Sequence, residues 1–177
     1  MPDILIYLLI ALIASAATTV FIAARRPDHF RMARSLKIAA PAPRLHGLID
    51  NLHQMNTWNP YALRETGGKG TYSGPDAGPG ATFHFAGPKS GTGSISVVDS
   101  TPSRVIMRLL MTKPIAGDNQ IEFTLKPDGN ATEVTWAMAG KASLPGKIFA
   151  LFIDCDRMMS RDFDEGLTNL KVIAEAA

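Results

Sequence analysis

The sequence predicts an α+β domain, a curved antiparallel sheet covered by one long C-terminal helix, preceded by an N-terminal transmembrane helix. Three observations predict it. Residues 4–24 are apolar and carry no charge, residues 81–140 show a hydrophobic period of two, and residues 145–174 carry a helical apolar stripe.

The first run, "ILIYLLIALIASAATTVFIAA", would span roughly 30 Å as a helix, about one hydrocarbon core. A cleaved signal peptide is the competing reading, since Ala14-Ser15-Ala16 has the small-residue cleavage pattern. Against it, "MPD" carries no Lys or Arg and the run continues past the cut, so a retained anchor is the reading adopted. Arg25, Arg26, Arg31, Arg34 and Lys37 all follow the run, which places the domain on the cytoplasmic side, with a secreted or periplasmic location as the alternative. This basic flank either touches anionic headgroups or serves only as a topology signal. Residues 1–26 are thus a membrane anchor with the start of its basic flank, and 27–177 one folded domain.

Composition narrows the function classes. The chain of 177 residues is 46% apolar and 19% charged, enough to build a core. A single cysteine, Cys155, excludes an internal disulfide and a Cys-based zinc site, and reads as a small half-buried helix residue. Net charge is +4 over residues 25–37 and −1 over 38–177. With no basic face on the domain itself, nucleic acid is excluded as a partner.

Within the domain, "FRMARSLKIA" (30–39) reads as a first strand. Pro43 suits a helix start, and Leu45, Leu48, Ile49 and Leu52 follow at helical spacing. Pro60 ends that stretch by pushing Asn59 out of the α region. "TGGKGTYSGPDAGPG" reads as turns, and it is not a phosphate loop, because no GxxxxGK[ST] is present. Five alternating runs follow, separated by "GPKSG", "STPS", "KPIAGD" and "PDGN". One face holds Phe83, Phe85, Ile95, Val97, Val105 and Met107, continuing through Leu109, Met111, Ile121, Phe123 and Leu125 to Val134, Trp136 and Met138. The other is polar, with His84, Arg108 and Glu122, the last two expected to pair across strands. Such one-sided alternation needs a cover, and the helix from Pro145 to Ala174 is the only large apolar surface left.

That order, together with "RSLKIAAPAPRLHGLIDNLHQMNTWNPY", "YSGPDAGPGATFHFAG", "VTWAMAG" and "DCDRMMSRDFDEGLTNLK", resembles the START-like (SRPBCC) superfamily, in its bacterial polyketide cyclase/dehydrase-type branch. The resemblance covers residues 30–175 and implies a helix-grip fold enclosing a hydrophobic cavity between sheet and helix. A hydrophobic small molecule or lipid is the partner it implies. Cavity walls would come from Phe83, Phe85, Met107, Leu109 and Phe123 of the sheet. Trp136 and Met138 on the last strand, and Trp58 before the sheet, complete that side. The terminal helix would add Phe152, Met159 and Phe163, with Ser160 and Asp156 as polar groups.

Asp156 is the anomaly, a carboxylate on the apolar stripe. Three roles are open to it. It can bond Ser160, an indole N–H of Trp58 or Trp136, or main chain; it can meet a polar group of the ligand; or it can be a general acid or base with a burial-raised pKa. Asp154, Asp162 and Glu165 fall away from the stripe and read as solvated, with Asp164 at its border. His29, His46 and His53 lack metal-ligand spacing, so no metal site is expected, and no motif calls for a cofactor. Three function classes follow: a membrane-anchored binder of a hydrophobic or amphipathic molecule, a cyclase, aromatase or dehydratase using Asp156, and a non-enzymatic interaction module.

Overall fold

The apolar run forms one helix, α1 (Pro2–Ala24), followed by strand β1 (His29–Ile38). Three short helices come next, α2 (Ala42–Asp50), α3 (Leu52–Met55) and α4 (Pro60–Leu63). Strands β2 (Lys69–Ser73), β3 (Thr82–Gly87), β4 (Gly91–Thr101), β5 (Arg104–Lys113), β6 (Gly117–Asp128) and β7 (Ala131–Lys141) follow, then α5 (Leu144–Phe152) and α6 (Cys155–Glu175). This computed structural model describes residues 2–176, with side chains from residue 4; Met1 and Ala177, the outer ends of the two predicted segments, lie outside it.

The seven strands make one antiparallel sheet in the order β1-β7-β6-β5-β4-β3-β2. From β2 to β7 it is a meander of neighbours, and β1 closes the far edge against β7, with His29 opposite Lys141 and Ile38 opposite Thr132. Two-residue turns join β4 to β5, where Thr101 pairs with Arg104, and β6 to β7, where Asp128 pairs with Ala131 and Gly129 takes φ +61°. Curvature comes from two irregularities in the β4–β5 ladder, between Thr92 and Gly93 and between Val97 and Asp99. The second leaves Val98 exposed. Gly93 sits where a Cβ would run into the Leu110 carbonyl, so only glycine permits this close crossing.

The concave face and α6 bury a common core, including Ile38, Leu45, Val105, Phe123, Trp136 and Leu167. Trp136 is its centre. Its ring stacks on Phe163 at 4.3 Å and meets Trp58 edge-on at 5.9 Å. Gly166 makes the close helix–sheet approach possible, since a Cβ there would lie 2.5 Å from the Trp136 ring.

Four expectations are corrected. The terminal helix is not continuous: Ile153 is extended, and Asp154 caps a new helix by accepting from the Arg157 N–H at 3.0 Å. The segment read as turns contains β2, a short strand at the sheet edge with no buried residue. Arg108 pairs with Asp118 at 2.5 Å rather than with Glu122, because the register sets Gln120 opposite it and the guanidinium reaches along the neighbouring strand. The basic flank is not one patch. At about 3.3 Å per residue β1 carries Arg34 and Lys37 away from α1, and they pair with Asp164 at 2.8 Å and Asp128 at 2.6 Å.

Candidate functional site

Between the concave face and the first half of α6 lies a partly open cavity of about 530 Å³ with mostly apolar walls. The sheet supplies Phe85, Leu109, Met111, Ile121 and Met138, and α6 supplies Met159 and Phe163. Tyr61 of α4, Met55 of α3 and Tyr72 of β2 form the remaining side. The cavity occupies one end of the sheet. Its residues Met138 and Asn119 lie beside Gly140 and Lys141, close to where β1 begins at His29. The opposite end, around Ile38, Val105 and Val134, is solid core.

The predicted site residues divide into three groups. Phe83, Phe85, Leu109, Trp136, Met138, Met159 and Phe163 border the cavity. Trp58, Met107 and Phe123 are fully buried behind it, with the Trp58 indole N–H donating to the Leu48 carbonyl at 2.8 Å. The others are corrections. Ser160 is half-buried and points its hydroxyl at the Met32 sulfur, 3.9 Å away, not at Asp156. Phe152 is 76% exposed, because the break at Ile153 detaches α5 from the stripe of α6. Asp156 keeps the right angular phase but sits in the first turn of α6, where 156–158 are all exposed. Facing inward by angle is not facing a partner. Asp162, read as solvated, is buried and accepts from Arg64 at 2.6 Å.

Residue-level reasoning missed the α4–β2 side of the site. Asn59-Pro60 carried a signal, a capping side chain followed by proline in the first turn, and Asn59 does cap Tyr61 N–H at 3.1 Å. Two histidines are occupied otherwise, His46 with Ser100 at 2.9 Å and His53 stacked on Tyr72 at 3.6 Å. Among the described residues there is no cluster of three or more His, Cys, Asp or Glu side chains that could hold a metal ion.

The family described as "Polyketide cyclase / dehydrase and lipid transport" matches residues 29–175. The chain belongs to this family. A search of the curated proteins finds no match. Solved structures share the START-like fold of this polyketide cyclase/dehydrase family member. A protein from Chromobacterium violaceum aligns at TM-score 0.59 and 17% identity, over 85% of this chain and 99% of that one. The Aha1 dimer from Colwellia psychrerythraea gives 0.59 and 17%, over 82% and 96%. Ara h 8.0201 gives 0.59 at only 6% identity, over 84% and 99%. Identities this low establish the fold and nothing finer.

One polar arrangement lines the cavity of this family member, and a second lies behind its Tyr61. Glu65 accepts from the Ser90 N–H at 2.8 Å, the Ser90 hydroxyl at 2.8 Å and the Lys89 N–H at 3.1 Å. The Ser90 N–H above all holds its carboxyl below the usual range. Behind Tyr61 and outside the cavity lining, Arg64 bridges Asp162 and Glu165. Desolvation, and then the Asp162 carboxylate, push the Tyr61 phenol up.

Proposed function

We propose that this protein holds a hydrophobic or amphipathic small molecule, lipid or polyketide-like, in the sheet–helix cavity, and that α1 tethers the domain to a membrane. The observation that carries the reading is the apolar cavity of about 530 Å³, within the size range of small-molecule sites. Its polar lining is sparse, with Asn56, Asn59, Glu65, Ser90 and Asn119 among apolar side chains, which suits an amphipathic ligand. α1 is long and apolar enough to span a bilayer, although a signal sequence meets the same test. Tethering places the pocket beside the phase where such ligands dissolve. The Arg25, Arg26 and Arg31 flank favours the cytoplasmic side.

Binding is preferred over acid–base turnover on chemical grounds. The carboxylate assigned that task, Asp156, lies outside the cavity. Of the groups bordering it, Glu65 is held ionised and Tyr61 held protonated at neutral pH. A general acid or base works best with a pKa near the operating pH.

The test is ligand capture by the full chain in detergent, read by extraction with mass analysis and by binding of an aromatic fluorophore. Leu109→Trp, which projects an indole into the cavity, should weaken fluorophore binding about tenfold or more while the circular-dichroism spectrum stays native. Extracts holding only water and buffer, together with no uptake of lipids or fluorophore, would overturn the reading. So would undiminished binding by the tryptophan variant.

A further inference from the structure

Helix α5 is inverted relative to an ordinary surface helix. Its only charge, Lys147, points inward and is 7% exposed, whereas Leu144, Phe149, Phe152 and the following Ile153 are 44%, 42%, 76% and 40% exposed. At 100° per residue, Leu144, Pro145, Ile148, Phe149 and Phe152 share one side, with Lys147 opposite. The buried amine fixes α5 to the foot of α1: Lys147 donates to the Arg26 carbonyl at 2.9 Å and pairs with Asp28. Arg26 returns a hydrogen bond to the Ala150 carbonyl at 2.9 Å. A contiguous apolar face of this kind marks an interaction surface.

Position says what covers it. The face begins where the apolar span of α1 ends, at the end of the sheet that holds the cavity. The exposed cations Arg25, Lys141 and Arg157 lie in the adjoining segments, alongside three exposed carboxylates: Asp28, paired with Lys147; Asp154, engaged as the α6 cap; and Asp156. The surrounding charge is mixed, so position and not charge points to lipid: α5 packs beside the foot of the apolar span, and its exposed apolar side chains lie where that span would leave a bilayer.

Resting on the reading of α1 as a membrane span, we propose that α5 lies in the interfacial plane of that same bilayer. Its Phe149–Phe152 edge enters the boundary between headgroups and acyl chains, roughly 5–10 Å deep. This sets the cavity end of the domain against the lipid surface, so that amphiphiles enter the cavity from the bilayer rather than through water.

The test uses the full chain in phosphatidylcholine/phosphatidylglycerol nanodiscs, with Cys155→Ser and single nitroxides at Leu12→Cys, Phe152→Cys or Val98→Cys. Labels at 12 and 152 should be relaxed by oxygen and shielded from a water-soluble nickel chelate, and the label at 98 should show the reverse. If 12 reads lipid and 152 reads water, the α5 assignment falls and the anchor stands. If 12 reads water, both fall. Shielding of 152 from both reagents would mean a second copy or another protein covers α5, and would also overturn the proposal. Phe149→Ser/Phe152→Ser should slow transfer of a vesicle-held fluorescent amphiphile into the protein about tenfold, with affinity for a water-soluble aromatic fluorophore unchanged. Equal transfer rates would refute loading from the bilayer.

Discussion

Glu65 ties the segment after α4 to the β3–β4 hairpin with a single carboxylate oxygen, across the edge of the cavity. Gly87 leaves the room for it, since a Cβ there would overlap the carboxylate. Because the folded-state pKa is lowered, this clasp contributes stability above the ordinary glutamate pKa of about 4.3 and loses it as pH falls through the lowered value. The melting-temperature difference between wild type and Glu65→Gln should therefore hold from neutral pH down to about 5 and shrink at lower pH. A difference independent of pH would contradict the role. Asp156→Asn is the complementary experiment. An exposed side chain without a partner should change stability by less than about 0.5 kcal/mol in urea unfolding, and fluorophore affinity should not move.

At the scale of elements, the C-terminal segment shows how a cap overrides a stripe. The apolar period runs from Phe149 to Leu170, yet one helix ends at the extended Ile153 and Asp154 starts another. An N-cap interaction of about 1 kcal/mol suffices because α5 is separately held by Lys147. Downstream of the break the stripe holds, and Gly166 sits at its tightest point. Gly166→Ala gains about 1 kcal/mol of helix propensity but drives a methyl into Trp136, which is 2% exposed and pinned by Phe163 and Trp58. Overpacking of this kind typically costs about 1–3 kcal/mol. The variant should thus be destabilised by up to about 2 kcal/mol in urea unfolding, and a stabilised variant would show that the helix can shift.

For the whole molecule, domain and anchor are separate apart from their join at α5. Of the α1 side chains described, only Ala23 is buried. Removing residues 1–24, which keeps Arg26 and its hydrogen bonds to α5, should leave a folded domain whose melting temperature lies within about 4 °C of the full chain's, equivalent to about 1 kcal/mol at this size. Loss of a cooperative transition would make α1 part of the core. The same separation explains what was legible beforehand. The five strands β3–β7 and their apolar face could be read because a period of two depends only on near neighbours. β2 could not, since five exposed residues with a glycine carry no such pattern. Leu109 and Met138 were legible as cavity candidates because their face was. Tyr61 and Glu65 were not, because their place depends on how α4 docks against α6.

By itself the amino-acid sequence determined the class of fold, the apolar N-terminal helix, the one-sided sheet and the family. All of these are written in local periodicity and composition, which survive without knowledge of the neighbours. Tertiary structure alone decided which inward-phased side chains meet a wall, which meet a cavity and which meet nothing. Asp156 and Asp162 make the point. The first has the inward phase and lies in water, and the second has the outward phase and is buried under Arg64. Burial is a property of what stands opposite, and that is set by docking between distant segments.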